Sequence, residues 1–156
     1  MSKRTVTISL GAALESSTGL EPFQHIHGAM RLEIGGREVP YMGYFGPKDV
    51  CLNGWINVLL SVIAAFRAGQ SQYVFDEGEQ GQPAYRFDRE GETGYLSIVN
   101  STFSDGEADP EFQRVAFQWR DLEPALSEFG AVLLERVRAH APPQVEHWRR
   151  ILETRR

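Results

Sequence analysis

The stretch VCLNGWINVLLSVIAAF, residues Val50 to Phe66, decides the fold. Its 17 residues carry no charge. Trp55, Ile56, Val58, Leu59, Leu60, Val62, Ile63 and Phe66 cover most of a helical circumference, and a helix apolar nearly all round is a buried one. A bilayer span takes about 20 apolar residues. This run is shorter and contains Asn53, Gly54, Asn57 and Ser61. It therefore reads as a core helix from about Gly54 to Ala68, capped by Asn53 and stopped at Gly69. Asn57, Ser61 and Ala65 recur at helical spacing and give it one small-residue stripe.

Toward the N-terminus the period changes. Residues 4–10 alternate polar and apolar, which reads as a strand and not as the continuous apolar core of a signal peptide. Glu15 to Gln24 reads as a loop, broken by Ser16, Ser17, Gly19 and Pro22. Residues 26–34 form a strand with Ile26, Met30, Leu32 and Ile34 on one face. Gly35-Gly36 suits a tight hairpin turn. The return strand, Arg37 to Phe45, is interrupted at Pro40.

Toward the C-terminus three strands are expected near Gln72–Asp76, Ala84–Arg89 and Gly94–Asn100, and a fourth at Val115–Trp119. Asp121 can cap a helix that carries Pro124 in its first turn and Leu122, Leu126, Phe129, Leu133 and Val137 on its inner stripe. Pro142-Pro143 ends it, and a short helix with Val145, Trp148, Ile151 and Leu152 inward closes the chain. The order β-β-β-α-β-β-β-β-α-α predicts an α+β fold: a mainly antiparallel sheet, a buried central helix and C-terminal helices packed on one face. The 156 residues fit one domain over 1–156, with the helix at 143–156 as an appendage. A chain of this size needs no disulfide or metal to fold.

The charges are placed unevenly. The net charge is −5, which argues against a nucleic-acid partner, since phosphates need a basic face. Between Asp76 and Glu111 stand ten acidic and two basic residues, a local balance of −8, against +1 over residues 1–75 and +2 over residues 112–156. Asp76, Glu77 and Glu79 fall in one expected loop, Asp88, Glu90 and Glu92 at or near the next turn, and Asp105, Glu107, Asp109 and Glu111 in a third. These ten residues are the candidate partner-binding surface, because such a field steers a basic protein. Tyr73, Phe75, Tyr85, Tyr95, Phe103 and Phe112 are the aromatics near enough to anchor it, several of them being needed for the core. Whether the three loops meet depends on strand order: the first and third can share one end of the sheet while the middle turn lies at the other.

No catalytic motif is complete. Gly-x-Ser-x-Gly and the phosphate-cradling glycine loops are missing. Asp105–Glu111 fails the calcium-loop pattern, with glycine second and proline sixth. His25 and His27 share a face if extended, but Glu33 follows too late for a His-x-His-carboxylate metal site, so no metal or cofactor is expected. Cys51, the single cysteine, rules out an internal disulfide and fits a reducing compartment. A cysteine at the start of a buried helix resembles papain-like peptidases and amidases, which use a histidine base. Residues 52–139 contain no histidine, so the base would come from His140, His147, His25 or His27.

The central hydrophobic helix Leu52–Phe66 after a hairpin, the meander Tyr73–Asn100, the Phe117-Gln118-Trp119 strand and the closing helix Leu122–His140 together resemble the small cytoplasmic immunity proteins of bacterial polymorphic-toxin and secretion-system loci. The likeness is architectural and selects no particular family. It implies a cytoplasmic, non-enzymatic protein that binds a cognate toxin and blocks it, with the acidic loops facing a basic toxin surface. Nucleic acid and membrane are not expected partners. Two other readings stay open: a small cysteine hydrolase using Cys51, and a structural or regulatory subunit that forms a homodimer through its helical face.

Overall fold

The long apolar–polar alternation at the N-terminus produces a hairpin. The computed structural model describes residues 4–16, 26–43 and 46–153. Strands β1 (Val6–Ser16) and β2 (Ile26–Ile34) pair antiparallel from Val6↔Ile34 to Leu10↔Met30, and again from Leu14↔Gly28. The register shift between Leu10 and Leu14 is a bulge, and it carries the strand on through Glu15 and Ser16, where the sequence suggests a loop. The rest of that expected loop, with Ser17, Gly19 and Pro22, lies outside the described residues, as does His25 after it. Along β2, burial follows period two, with Ile26, Met30, Leu32 and Ile34 inward.

The return strand is shorter than expected. Only Arg37–Glu38 (β3) pairs with β2, because Pro40 offers no backbone N–H to continue the ladder. Tyr44 and Phe45 lie outside the described residues. The chain instead returns to β2 as Val50–Cys51 (β4), with His27↔Cys51 and Gly28↔Val50 in register. That pairing keeps the backbone extended up to Cys51, so helix α1 begins at Leu52 and runs to Arg67. Asn53 is therefore not the cap. It sits in the first turn, where its Oδ1 accepts the backbone N–H of Ile26 at 2.9 Å. The helix stops as expected, at Gly69 with φ +86°.

A second sheet follows: β5 (Gln72–Phe75), β6 (Ala84–Glu90), β7 (Thr93–Val99) and β8 (Val115–Gln118), in that order and antiparallel throughout. The fold is thus α+β with its strands in two antiparallel sheets. Helix α1, apolar on nearly every side, packs against both sheets and the helices in one continuous core that includes Trp55, Phe66, Phe87, Phe117 and Phe129. Helix α2 (Leu122–His140) lies along β1, and its Arg136 reaches the carbonyl of Gly11 in the bulge at 2.6 Å. Arg67 and Glu123 pair between α1 and α2. The last helix, α3 (Val145–Glu153), belongs to the same core rather than standing apart as an appendage, because Trp148 is fully buried. No helix among the described residues is long and apolar enough to cross a membrane.

One corner stitches the sheets together. Asp121 occupies the cap position of α2, but its carboxylate does not cap the helix. It accepts the backbone N–H and the hydroxyl of Thr5, at 2.8 and 2.7 Å. The Thr5 hydroxyl in turn accepts the N–H of Gln118. Gly35 turns the β2–β3 hairpin over this corner with φ +58°, and a Cβ there would stand 2.5 Å from the Ala116 carbonyl oxygen. Both the conformation and the space demand glycine. Gly35→Ala is expected to lower unfolding free energy by about 1–3 kcal/mol, read by urea denaturation.

Candidate functional site

The meander sorts the acidic residues by end. Strands β5 and β7 finish, and β6 and β8 begin, at one end of the second sheet, so the connections 76–83 and 100–114 lie together there. The turn between β6 and β7 lies at the other. Its acids are matched: Glu90 pairs with Arg114, and Glu92 with Arg120. Asp88 is held within the sheet by Arg86 at 2.9 Å and by the side chain of Gln72. These three of the ten candidate carboxylates are thereby separated from the other seven.

At the first end, two of the seven act as fasteners. The Asp76 carboxylate accepts the Ser101 hydroxyl at 2.7 Å, the N–H and hydroxyl of Thr102, and the N–H of Gly78. Desolvation opposes its charge, but these donors outweigh it and hold Asp76 below its ordinary pKa. Asp105 accepts the N–H of Gly81 at 2.8 Å. The Ser101 hydroxyl also accepts the N–H groups of Phe103 and Ser104, and the Ser104 hydroxyl donates to the Gln82 carbonyl. Gly106 presses on that carbonyl so closely that a Cβ would stand 1.9 Å from its oxygen. The two loops form one braced unit.

What the unit presents is acidic and aromatic. Asp109 accepts the Tyr41 hydroxyl at 3.1 Å, and Tyr41 is held at φ +65°, a left-handed conformation unusual for a bulky side chain. Tyr41 is 52% exposed and Phe103 is 76% exposed. Among the described residues, Glu77, Glu79, Glu107 and Glu111 make no ion pair. Of the other aromatics near the acidic segments, Tyr73, Phe75, Tyr85 and Phe112 pack in or against the core, and Tyr95 is covered by the Arg114 guanidinium. Tyr85 and Phe112 are buried, while Tyr73, Phe75 and Tyr95 are half-buried.

Beside this unit opens a cleft of about 390 Å³, lined by His27, Met42, Asp49, Cys51, Glu77, Glu79 and Gln80. Alternation along the chain places Asp49 and Cys51 on one face of β4 and its approach, and the register sets His27 directly across from Cys51. His27 Nδ1 lies 3.3 Å from Asp49 Oδ1. Cys51 is itself the N-cap residue of α1, so it stands at the helix terminus and not two residues outside it. Burial pushes its thiol pKa up. The amides of Gly54 and Asn53 oppose that, and the Glu77 and Asp49 carboxylates add to it. His27, one of the four histidines that the sequence offers as a base for Cys51, is selected by β-pairing between distant residues, whereas Asp49, two residues before Cys51, is marked by no motif. Among the described residues no group of three ligands suits a metal ion. On the helical side the one exposed large apolar side chain among the described residues is Val132.

Glu77 is held at a cost. Desolvation at the cleft wall and then the charge of Glu79 push it above its ordinary pKa. A raised carboxyl pKa favours folding at low pH, and that contribution is lost as pH rises through the folded-state value. Glu77→Gln is therefore expected to stabilise the protein at neutral pH by a few tenths of a kcal/mol, allowing for solvent screening. The gain should vanish below the ordinary glutamate range, which urea melts at several pH values would show.

Compared with protein-family models, with curated proteins and with solved structures, the chain gives no match.

Proposed function

We propose that the protein is a partner-binding module of the immunity type, which docks a basic surface of a cognate protein toxin on the braced acidic end. The observation that carries this reading is Phe103. A ring 76% exposed on a loop fastened by Asp76 and Ser101 is an anchor already in place, and rigid aromatic anchors carry much of the energy of a protein interface. The carboxylates of Glu77, Glu79, Glu107 and Glu111, which make no ion pair among the described residues, supply the matching charge. A basic group arriving at Glu77 would also relieve its repulsion with Glu79. The test is calorimetric titration of the protein with the product of the adjacent reading frame, at several salt concentrations. Binding that weakens with salt and with Phe103→Ala supports the reading; binding indifferent to both rejects it.

A second reading, a small cysteine hydrolase, is favoured by one observation: the register that sets His27 across from Cys51 with Asp49 against its Nδ1. Nucleophile, base and orienting carboxylate are the three roles such chemistry needs.

A further inference from the structure

We infer that the Cys51 cleft takes an acyl substrate carrying a cationic side chain, such as an ester or amide on the carboxyl side of arginine or lysine. The inference rests on the hydrolase reading and adds the substrate class to it.

The geometry starts with the β2–β4 pair. Directly opposed residues on antiparallel strands have Cβ atoms about 4.5–5.5 Å apart, so the His27 ring and the Cys51 sulfur are neighbours on one face. Asp49 Oδ1 stands 3.3 Å from the buried Nδ1, which has no hydrogen-bond partner among the described residues; a small turn of the ring would join the two and leave Nε2 as the nitrogen to exchange a proton with Sγ. The wall that a bound acyl group would meet is formed by Glu77, Glu79 and Gln80, with Met42 beside it. Glu77 and Glu79 make no ion pair among the described residues. A guanidinium or ammonium there would satisfy both, and Met42 would cover its methylene stem.

The same placement couples binding to activation. Glu77 and Asp49 both make the Cys51 thiol harder to ionise. A cation between the carboxylates cancels part of that field, so the sulfur becomes more nucleophilic when the right substrate is present. The neutral thiol attacks the acyl carbon as its proton passes to His27. The S–C bond forms, the C–O or C–N bond breaks, and the leaving group departs as alcohol or amine with the proton from His27. Water then attacks the thioester, giving one proton to His27, which returns it to the sulfur as the carboxylic acid leaves.

The test uses the full chain with p-nitrophenyl esters of Nα-blocked arginine, norleucine and glutamate. Release of p-nitrophenol gives the rate, and intact mass with peptide mapping locates the acyl group. The expected result is acylation of Cys51 about 10-fold or more faster by the arginine ester than by the norleucine ester, with the glutamate ester slowest. Glu77→Gln/Glu79→Gln should bring the three rates together, His27→Gln should slow all of them, and Cys51→Ala should abolish the adduct. Cys51 acylation at equal rates by all three esters overturns the substrate class and leaves the hydrolase reading standing. No Cys51 adduct with any ester, together with p-nitrophenol release that is the same in Cys51→Ala as in the parent, overturns both.

Discussion

Trp55→Ala is expected to lower the unfolding free energy by about 3–5 kcal/mol, the range for losing a large buried aromatic. Trp55 is 1% exposed and stands on the face of α1 that meets the second sheet. Its ring packs edge-on against Tyr85 at 4.8 Å and Phe75 at 5.3 Å, and its Nε1–H donates to the Met42 carbonyl at 3.2 Å. Tyr85 extends the contact by donating its hydroxyl to the Pro40 carbonyl. One indole therefore fixes the helix, strands β5 and β6, and the segment that brings Tyr41 and Met42 to the acidic end. Thermal denaturation should show a fall of roughly 10 °C or more. Trp55→Phe keeps most of the packing and removes the N–H, so it should cost about 1 kcal/mol from the hydrogen bond in addition to a smaller packing loss. A Trp55→Ala protein as stable as the parent would mean that the two sheets do not share this helix as their core.

The elements legible in the sequence were those with a strong period. The apolar circumference of residues 52–67 and the alternation of residues 26–34 appear as α1 and β2 with their inner faces as read. The meander and the α2 stripe followed from turn residues and spacing. What was hidden lay in pairings between distant residues. Asn53 has the chemistry of a cap, but β4 returns to β2 and turns its amide to the Ile26 N–H. Asp121 likewise serves Thr5 rather than its own helix. The division of one expected sheet into two has the same origin, since α1 intervenes after β4 has rejoined β2. The acidic block was visible as a count, but its use was not. Asp76 and Asp105 are fasteners, Asp88, Glu90 and Glu92 are neutralised by arginines or held in the sheet, and Tyr41 and Asp49 join the site without any local signal, while His27 was one of four histidines that only the β2–β4 register could choose between.

If the proposed basic partner docks at the acidic end, reversing the charge of Glu77 and Glu79 together, Glu77→Lys/Glu79→Lys, is expected to weaken its binding about 10–100-fold. These two carboxylates lie at the cleft wall, make no ion pair among the described residues, and repel one another. Charges of this kind act over distance, so most of the loss should appear in the association rate, and the salt dependence should flatten. Phe103→Ala should act on the other rate. Its ring gives no long-range attraction, but it supplies a hydrophobic anchor on a braced loop, and losing it should speed dissociation by about 30-fold, equivalent to about 2 kcal/mol. Neither change should unfold the protein, since Phe103 is exposed, Glu77 and Glu79 stand at the rim, and loss of the Glu77 charge shifts stability by only a few tenths of a kcal/mol. Glu135→Lys, on the exposed side of α2, is the control and should leave both rates within about twofold of the parent. Surface plasmon resonance separates the two rates. An unchanged association rate in Glu77→Lys/Glu79→Lys removes electrostatic steering from the account, and an unchanged dissociation rate in Phe103→Ala removes the anchor. A loss in Glu135→Lys equal to that in the double reversal would show that overall charge governs the encounter and the acidic end does not.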